Sequence, residues 1–213
     1  MSSHNSADRA DTPLIVDTVF ALDELITEEE RTWQRKARAF ATDRVLPVID
    51  GDFERAFFRR ELVGELGAAG FLGMQLTGYG CAGVGPVAYG LVCLELESAD
   101  SSWRTFVSVQ GSLAMTAIHT HGSEEQKTEW LPRMASGEAI GCFGLTEPSG
   151  GSDPGAMQTT ARRDGGDWVI DGTKRWIGLA SIADIAVMAS EPCTETKVRQ
   201  LLSADSSSRQ TAP

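Results

Sequence analysis

The sequence predicts an α+β fold: an N-terminal all-α helical domain followed by an incomplete β-sheet or barrel domain. Apolar residues recur at helical spacing between capping signatures as far as Gly137, and beyond Gly137 the period falls from 3.6 to 2. Only four or five short strands then follow, which leaves sheet edges without partners and is an unstable way for a domain to finish. The sequence therefore reads as a chain cut short.

The expected organisation is an arm over residues 1–26, a helical domain over 27–137, a partial β domain over 138–190 and an irregular tail over 191–213. The arm is polar and weakly patterned until Leu22 and Leu25. Thr27 and Glu30 form a capping-box signature for the first helix, in which Trp33, Ala37, Phe40 and Ala41 recur until Pro47 stops the run. A second helix is expected over roughly Glu54 to Leu66, with Phe58, Leu62 and Leu66 on one face and an end at Gly67 or Gly70. Gly78 to Gly85 is loop, and Pro86 opens a third helix that carries Val87, Leu91 and Leu94 up to about Ala99.

A fourth helix spans Ser102 to about Thr120, where Phe106, Leu113 and Ala117 repeat, and Gly122 ends it. Ser123 and Gln126 make a second capping box, opening a fifth helix with Trp130, Leu131 and Met134 that closes at Gly137. Ile140 to Leu145 reads as a strand, and Thr159 to Arg163, Trp168 to Ile170, Lys174 to Ile177 and Ile185 to Met188 read as further strands. From Glu191 the chain loses periodicity and becomes rich in Ser and Thr.

The 213 residues, 41% hydrophobic and 23% charged, suit one globular domain or two small ones. A net charge of -11 with no Lys/Arg cluster disfavours nucleic acid and anionic membrane surfaces as partners. Cys81, Cys93, Cys142 and Cys193 lie far apart, so neither a zinc site nor a disulfide framework is indicated. The start lacks the apolar core of a signal peptide, and Asp8 and Asp11 argue against a basic transit segment, so a cytoplasmic location is expected. No apolar stretch approaches membrane-spanning length.

Several local patterns are weaker than they look. Gly78-Tyr79-Gly80-Cys81-Ala82-Gly83 matches the dinucleotide GxGxxG pattern, with Glu95 or Glu97 where a ribose-binding acid would be sought. That fingerprint needs a helix starting within the glycines, and here Gly85-Pro86 delays it, so a surface loop is the better reading. His119 and His121 on one helix point ~200° apart, and no neighbouring ligand completes a metal site. GLTEPSGG lacks the G-x-S-x-G pattern of a nucleophile elbow.

The strongest signal is Cys142-Phe143-Gly144-Leu145-Thr146-Glu147-Pro148-Ser149-Gly150-Gly151-Ser152-Asp153, followed about twenty residues later by Gly172-Thr173-Lys174-Arg175-Trp176-Ile177. A hairpin with a Gly-rich loop explains the glycines but not the Thr-Glu-Pro, Gly-Ser-Asp and Lys-x-Trp-Ile elements together. These residues and their spacing resemble the two flavin-binding segments of the acyl-CoA dehydrogenase family. The resemblance covers nearly all of residues 20 to 190, including Tyr79-Gly80-Cys81-Ala82-Gly83, Val87-Ala88-Tyr89-Gly90, Leu94-Glu95-Leu96-Glu97 and Gly122-Ser123-Glu124-Glu125-Gln126-Lys127.

By that resemblance the cofactor is FAD, and Phe143, Leu145, Thr146, Gly151, Ser152, Trp176 and Ile177 fall on flavin-contact positions, with Ser152 near the CoA moiety too. The chemistry gives each element a reason. An isoalloxazine ring needs hydrogen-bond donors in an otherwise apolar site, because an unpaired buried polar group costs about 1–3 kcal/mol. Thr146 offers a hydroxyl, Gly150 and Gly151 let backbone amides approach, Phe143 and Leu145 offer apolar contact, and Trp176 can lie against the ring and shield it. Many family members continue Trp-Ile-Thr-Asn-Gly, whereas this chain reads Trp176-Ile177-Gly178-Leu179, leaving a backbone amide at Gly178 and opening the question of reactivity toward oxygen.

Within the family the resemblance is nearest to glutaryl-CoA dehydrogenase. Ser102-Trp103-Arg104-Thr105-Phe106-Val107-Ser108-Val109-Gln110 resembles the segment where those enzymes place an arginine and a serine against the distal carboxylate of the substrate. Arg104 and Ser108 are four apart and share one helix face beside small Gly111. A guanidinium among Trp103, Phe106 and Val107 is costly without an anionic partner, and a dicarboxylic acyl chain held bidentately is one candidate. Solvent, or an internal Asp such as Asp100, is the other.

The resemblance implies α,β-dehydrogenation of an acyl-CoA: α-proton removal by a glutamate, hydride transfer from the β-carbon to flavin N5 and, for glutaryl-CoA, loss of carbon dioxide to give crotonyl-CoA. It also implies electron-transfer flavoprotein or oxygen as acceptor, and a homo-oligomer. The glutamate base of the family belongs to a C-terminal helical bundle that these residues do not include, so a truncated, inactive form is expected; Glu147 is not its replacement. The alternatives are a non-catalytic helical interaction module and an acyl-CoA oxidase-like flavoenzyme.

Overall fold

The computed structural model describes residues 22–192 and 201–202. Helix α1 (Leu22–Leu25) is a single turn, and α2 (Glu28–Phe40) starts at Thr27 with a complete capping box, Glu30 N to Thr27 Oγ1 at 3.3 Å and Thr27 N to Glu30 Oε2 at 2.8 Å. The run does not stop at Pro47. A π-helical stretch, Ala41–Val45, hands over to α3 (Leu46–Glu54), with the Leu46 amide reaching back to the Ala41 carbonyl. Pro47 sits near the N-terminus of that new segment, where its missing N–H is tolerated.

The helix expected over Glu54 to Leu66 is displaced. Glu54 ends α3 instead of opening a helix, because the next turn passes through left-handed Ala56 (φ 49°) while buried Asp52 accepts from Arg59 at 2.6 and 2.7 Å and from Arg55 at 2.9 Å. Helix α4 is Glu61–Ala68, and Phe58 reaches the core from irregular chain, its ring 5.3 Å from that of Trp103.

Helix α5 is Pro86–Ala99. Asp100 then caps α6 (Ser101–Val107) by accepting from Ser102 N at 2.9 Å and Trp103 N at 3.2 Å. A second π-helical stretch, Ser108–Met115, joins α6 to α7 (Thr116–His121), so one rod runs from Ser101 to His121. Helix α8 (Glu124–Ala135) follows a second complete capping box at Ser123 and Gln126, and left-handed Gly137 (φ 80°) closes it.

The strands are β1 (Gly141–Gly144), β2 (Thr160–Asp164), β3 (Asp167–Asp171), β4 (Ile185–Met188), β5 (Glu191–Pro192) and β6 (Leu201–Leu202). They form two three-stranded sheets, β1-β4-β6 and β3-β2-β5, with β1 parallel to β4 and β2 antiparallel to β3. Lys174 to Ile177 is not a strand: it is irregular chain, and Trp176 is left-handed (φ 61°), which no extended run allows. Residues 1–21 of the expected arm, and residues 193–200 and 203–213 of the expected tail, lie outside the described residues.

One core is centred on Leu62, Leu66, Phe71, Leu96 and Phe106 among the helices, and Leu179 and Ile182 pack against it from beyond the second motif. A second core joins Met115, Ile118, Leu131 and Met134 to Ile185 and Val187 of β4, with Phe143 of β1 against it. The helical and β parts thus share buried apolar surface, which sets β1 against the rod of α6 and α7. No helix among the described residues is long and apolar enough to cross a membrane.

Candidate functional site

The two motif segments meet. Strand β1 delivers Phe143, after which the chain folds through a tight turn in which Glu147 and Gly150 exchange backbone hydrogen bonds at 3.0 and 3.3 Å across Pro148 and Ser149. The second segment returns alongside: Arg175 N donates to Thr146 O at 2.9 Å, and Lys174 Nζ donates to Leu145 O at 3.1 Å. Lys174 Nζ also lies 2.8 Å from Glu147 Oε1, in an ion pair whose side chains are 6% and 3% exposed.

Glu147 accepts further bonds from Gln158 N at 2.5 Å and Thr159 N at 2.9 Å. The Lys174 ammonium, with the Thr159 and Gln158 donors beside it, holds the Glu147 carboxyl down at about 2. Such a group keeps its proton off at any physiological pH, and with three donors already held on its two oxygens Glu147 is a structural anion.

Gly172 lies beneath this junction. A Cβ there would come within 2.3 Å of Thr159 Oγ1 and 2.7 Å of the Thr159 Cα, so only glycine lets the second segment pass.

Phe143, Leu145, Thr146 and Ile177 are half-buried. Among the described residues the Thr146 hydroxyl makes no side-chain hydrogen bond. Trp176 is 79% exposed, and the Arg175 guanidinium stands 4.4 Å from its ring centroid. Trp176 and Leu179 are both left-handed without being glycine, a strained state typical of binding loops. Gly151 and Ser152 are exposed in the turn, and no hydrogen bond joins either to the second segment.

The second segment also reaches the helical rod. A Cβ built on Gly178 would have Val109 Cγ2, 4.0 Å away, as its nearest neighbour, and Val109 follows Ser108. Arg104 and Ser108 are therefore carried on the helix that flanks the motif junction. Arg104 is partly exposed and pairs through Nε with the Glu97 carboxylate, which raises its already high pKa; Asp100 serves as the cap of α6 and not as its partner.

Sequence reasoning missed a polar stripe on this rod. Arg104, Ser108, Ser112 and Thr116 recur every fourth residue, a spacing that suits the wider π-helical turn at Ser108–Met115. Ser112 Oγ donates to the Tyr89 hydroxyl at 2.8 Å, Ser108 and Cys93 flank the same hydroxyl, and Gln75 Nε2 donates to Ser112 and Thr116 at 3.4 and 3.3 Å. The Gln75 Oε1 is buried and has no hydrogen-bond partner among the described residues. Burial pushes both the Tyr89 hydroxyl and the Cys93 thiol upward, so neither is an ionised group near neutrality.

The candidate ribose acids of the glycine-rich loop have other work: Glu95 is buried and accepts from Gln34 at 2.9 Å and Arg38 at 2.8 Å, and Glu97 holds Arg104. The loop itself belongs to the packing under α5, with Val84 N bonded to Met74 O at 2.8 Å.

Residues 27–138 match the N-terminal domain model of acyl-CoA dehydrogenases, and residues 142–204 match the middle-domain model. The mitochondrial short-chain specific acyl-CoA dehydrogenase of Homo sapiens is 36% identical over 164 residues, 76% of this chain and 40% of that protein. The crystal structure of a glutaryl-CoA dehydrogenase from Mycobacterium smegmatis in complex with FADH2 is 52% identical, with a TM-score of 0.80, over 82% of this chain and 45% of that one. A structure of the electron transferring flavoprotein of Acidaminococcus fermentans is 34% identical, with a TM-score of 0.73, over 76% of this chain and 43% of that one. The chain spans less than half the length of each of these relatives. A family model that takes in more than half of the residues, on a fold that brings both motif segments together, makes this chain a member of the acyl-CoA dehydrogenase family.

Proposed function

We infer that these residues form the flavin-ring cradle and the distal acyl-chain contacts of an FAD-dependent acyl-CoA dehydrogenase that acts on glutaryl-CoA. The observation that carries the reading is the meeting of the Thr146 turn with the Arg175–Trp176 segment beside the helix bearing Arg104 and Ser108.

The donor set suits a flat heterocycle. Among the described residues the Thr146 hydroxyl makes no side-chain hydrogen bond, Gly151 has no atom within 4 Å of where a Cβ would stand, and the Trp176 indole is uncovered. When bound, FAD supplies the two-electron acceptor for the substrate hydride. Thr146 then donates to a ring acceptor, the Gly150–Gly151 backbone approaches closely, and Trp176 excludes water from the ring. Ser152, on the exposed limb of the turn, takes part in holding the CoA ester.

Arg104 orients the distal carboxylate of the acyl chain, with Ser108 one turn away as a second donor. Its present partner Glu97 is solvent-accessible, so a substrate carboxylate competes for a guanidinium that is already aligned and need not displace a buried anion. The 52% identity to the Mycobacterium smegmatis glutaryl-CoA dehydrogenase favours this substrate over an unbranched monocarboxylic chain.

Calorimetric titration of the FAD-loaded chain with glutaryl-CoA and with butyryl-CoA tests the reading. Binding of glutaryl-CoA about tenfold tighter or more supports it. Equal affinities, or a preference for butyryl-CoA, would remove the dicarboxylate assignment.

A further inference from the structure

Glu147 and Lys174 are not among the residues assigned to the flavin, yet they join the two segments that supply them. Lys174 Nζ bridges Glu147 Oε1 and Leu145 O, the two residues on either side of Thr146. Arg175, the residue after Lys174, donates its amide to Thr146 O, and Trp176 follows directly. The Glu147 carboxylate is also tied to the entrance to β2, where Thr159 N donates to the same Oε1 and Gln158 N donates to Oε2. We propose that the Glu147–Lys174 ion pair is a positioning clamp, which fixes Thr146 of the first segment against Trp176 of the second and so presets the flavin contacts before the cofactor arrives. The proposal rests on the flavin reading above.

Two physical arguments carry it. A buried ion pair is a poor source of stability, since desolvation offsets its attraction, but it has one geometry and therefore specifies register. Here the register matters because Trp176 and Leu179 hold left-handed backbones that side chains disfavour. Conformations of that kind persist only when their surroundings over-determine them. Lys174 and Arg175 anchor the chain immediately before Trp176, and Leu179 and Ile182 anchor it immediately after by packing into the helical core. Without the first anchor the segment is free to relax, and Trp176 loses its fixed relation to Thr146.

The test is made on the 213-residue chain with Lys174→Met, which removes the ammonium but retains most of the volume, and Lys174→Gln, which retains a donor for Leu145 O. Glu147→Gln removes the charge and keeps one of the two acceptor oxygens, reads the same contact from the other side and serves if the Lys174 variants do not fold. Asp52→Asn is the control, because it damages another ion pair built on a buried carboxylate, with Arg59 and Arg55, in which no residue of either motif takes part. Hydrogen exchange at the Arg175 amide is expected to quicken by about tenfold or more in the clamp variants and to stay unchanged in Asp52→Asn. FAD affinity, followed by flavin fluorescence, is expected to fall about tenfold in the same variants and not in the control. Unchanged exchange at Arg175 would overturn the clamp. Faster exchange with unchanged FAD affinity would overturn its positioning role. An unsubstituted chain that binds no FAD would overturn the flavin reading, while the exchange measurement still decides whether the pair holds the segments together.

Discussion

Gln110 stitches the helical rod to the first strand: its buried Oε1 accepts from Gly141 N at 2.7 Å, while its Nε2 donates to Ala139 O at 2.8 Å and Met134 O at 3.1 Å. Because β1 starts at Gly141 and carries Phe143 two residues later, this one side chain sets where the first motif emerges relative to Ser108. Replacing it by leucine leaves Gly141 N and Ala139 O buried without these partners. At about 1–3 kcal/mol for each orphaned group, Gln110→Leu is expected to lower stability by about 2–6 kcal/mol. Urea unfolding with an unchanged m-value checks it, and a loss under about 1 kcal/mol contradicts it.

The Glu147 carboxyl, depressed from its ordinary 4.5 to about 2, gives a pH dependence with a definite sign. Its contribution to folding is complete above pH 4.5 and is lost as the pH falls from there toward 2, because the unfolded chain takes up the proton first. Stability should therefore drop more steeply over that window in the unsubstituted chain than in Glu147→Gln. Parallel pH profiles for the two proteins would show that the group does not titrate as described.

Arg104 is predicted to discriminate between substrates. Arg104→Ala should weaken glutaryl-CoA binding about 10- to 100-fold and change butyryl-CoA binding by less than about threefold, since only the dicarboxylic ligand loses a charge-assisted hydrogen bond. Arg104→Lys keeps the charge but not the two-pronged geometry and should fall between them. Equal losses for both ligands would mean that Arg104 serves folding through Glu97 and not recognition.

The two motif glycines should respond differently, one with a loss of stability and the other with none. At Gly172 a methyl group meets Thr159 backbone and side chain at 2.3 to 2.7 Å, so Gly172→Ala is expected to cost about 1–3 kcal/mol. At Gly178 the nearest neighbour to a Cβ is 4.0 Å away, so Gly178→Thr, the residue common at this place in the family pattern, should leave stability within about 0.5 kcal/mol. Thermal melts of the two variants decide both points.

The helical half was legible in the sequence wherever local chemistry marked both ends. Pro86 and Asp100 bracket α5, and the Thr27–Glu30 and Ser123–Gln126 boxes open α2 and α8. The π-helical stretches left no comparable mark, because a one-residue shift in hydrogen-bond register scarcely alters apolar spacing; Pro47 consequently read as a stop. The Glu54 to Leu66 error has a tertiary cause, the capture of Asp52 by Arg59. Lys174 to Ile177 has the composition of a strand, but its partners are the Leu145 and Thr146 carbonyls and a buried carboxylate 27 residues away in sequence, not a ladder. Glu97 as the partner of Arg104 was hidden for a similar reason: the bend at Asp100 brings together residues of two helices.

The central claim is that the Thr146 turn and the Trp176 segment together hold a flavin ring, and backbone amide NMR of the chain titrated with FAD tests it most directly. The expected result is saturable shifts concentrated at the amides of Thr146, Gly151, Ser152, Trp176, Ile177 and Gly178. Shifts confined to one of the two segments, shifts elsewhere in the helices, or none at millimolar FAD, would contradict it.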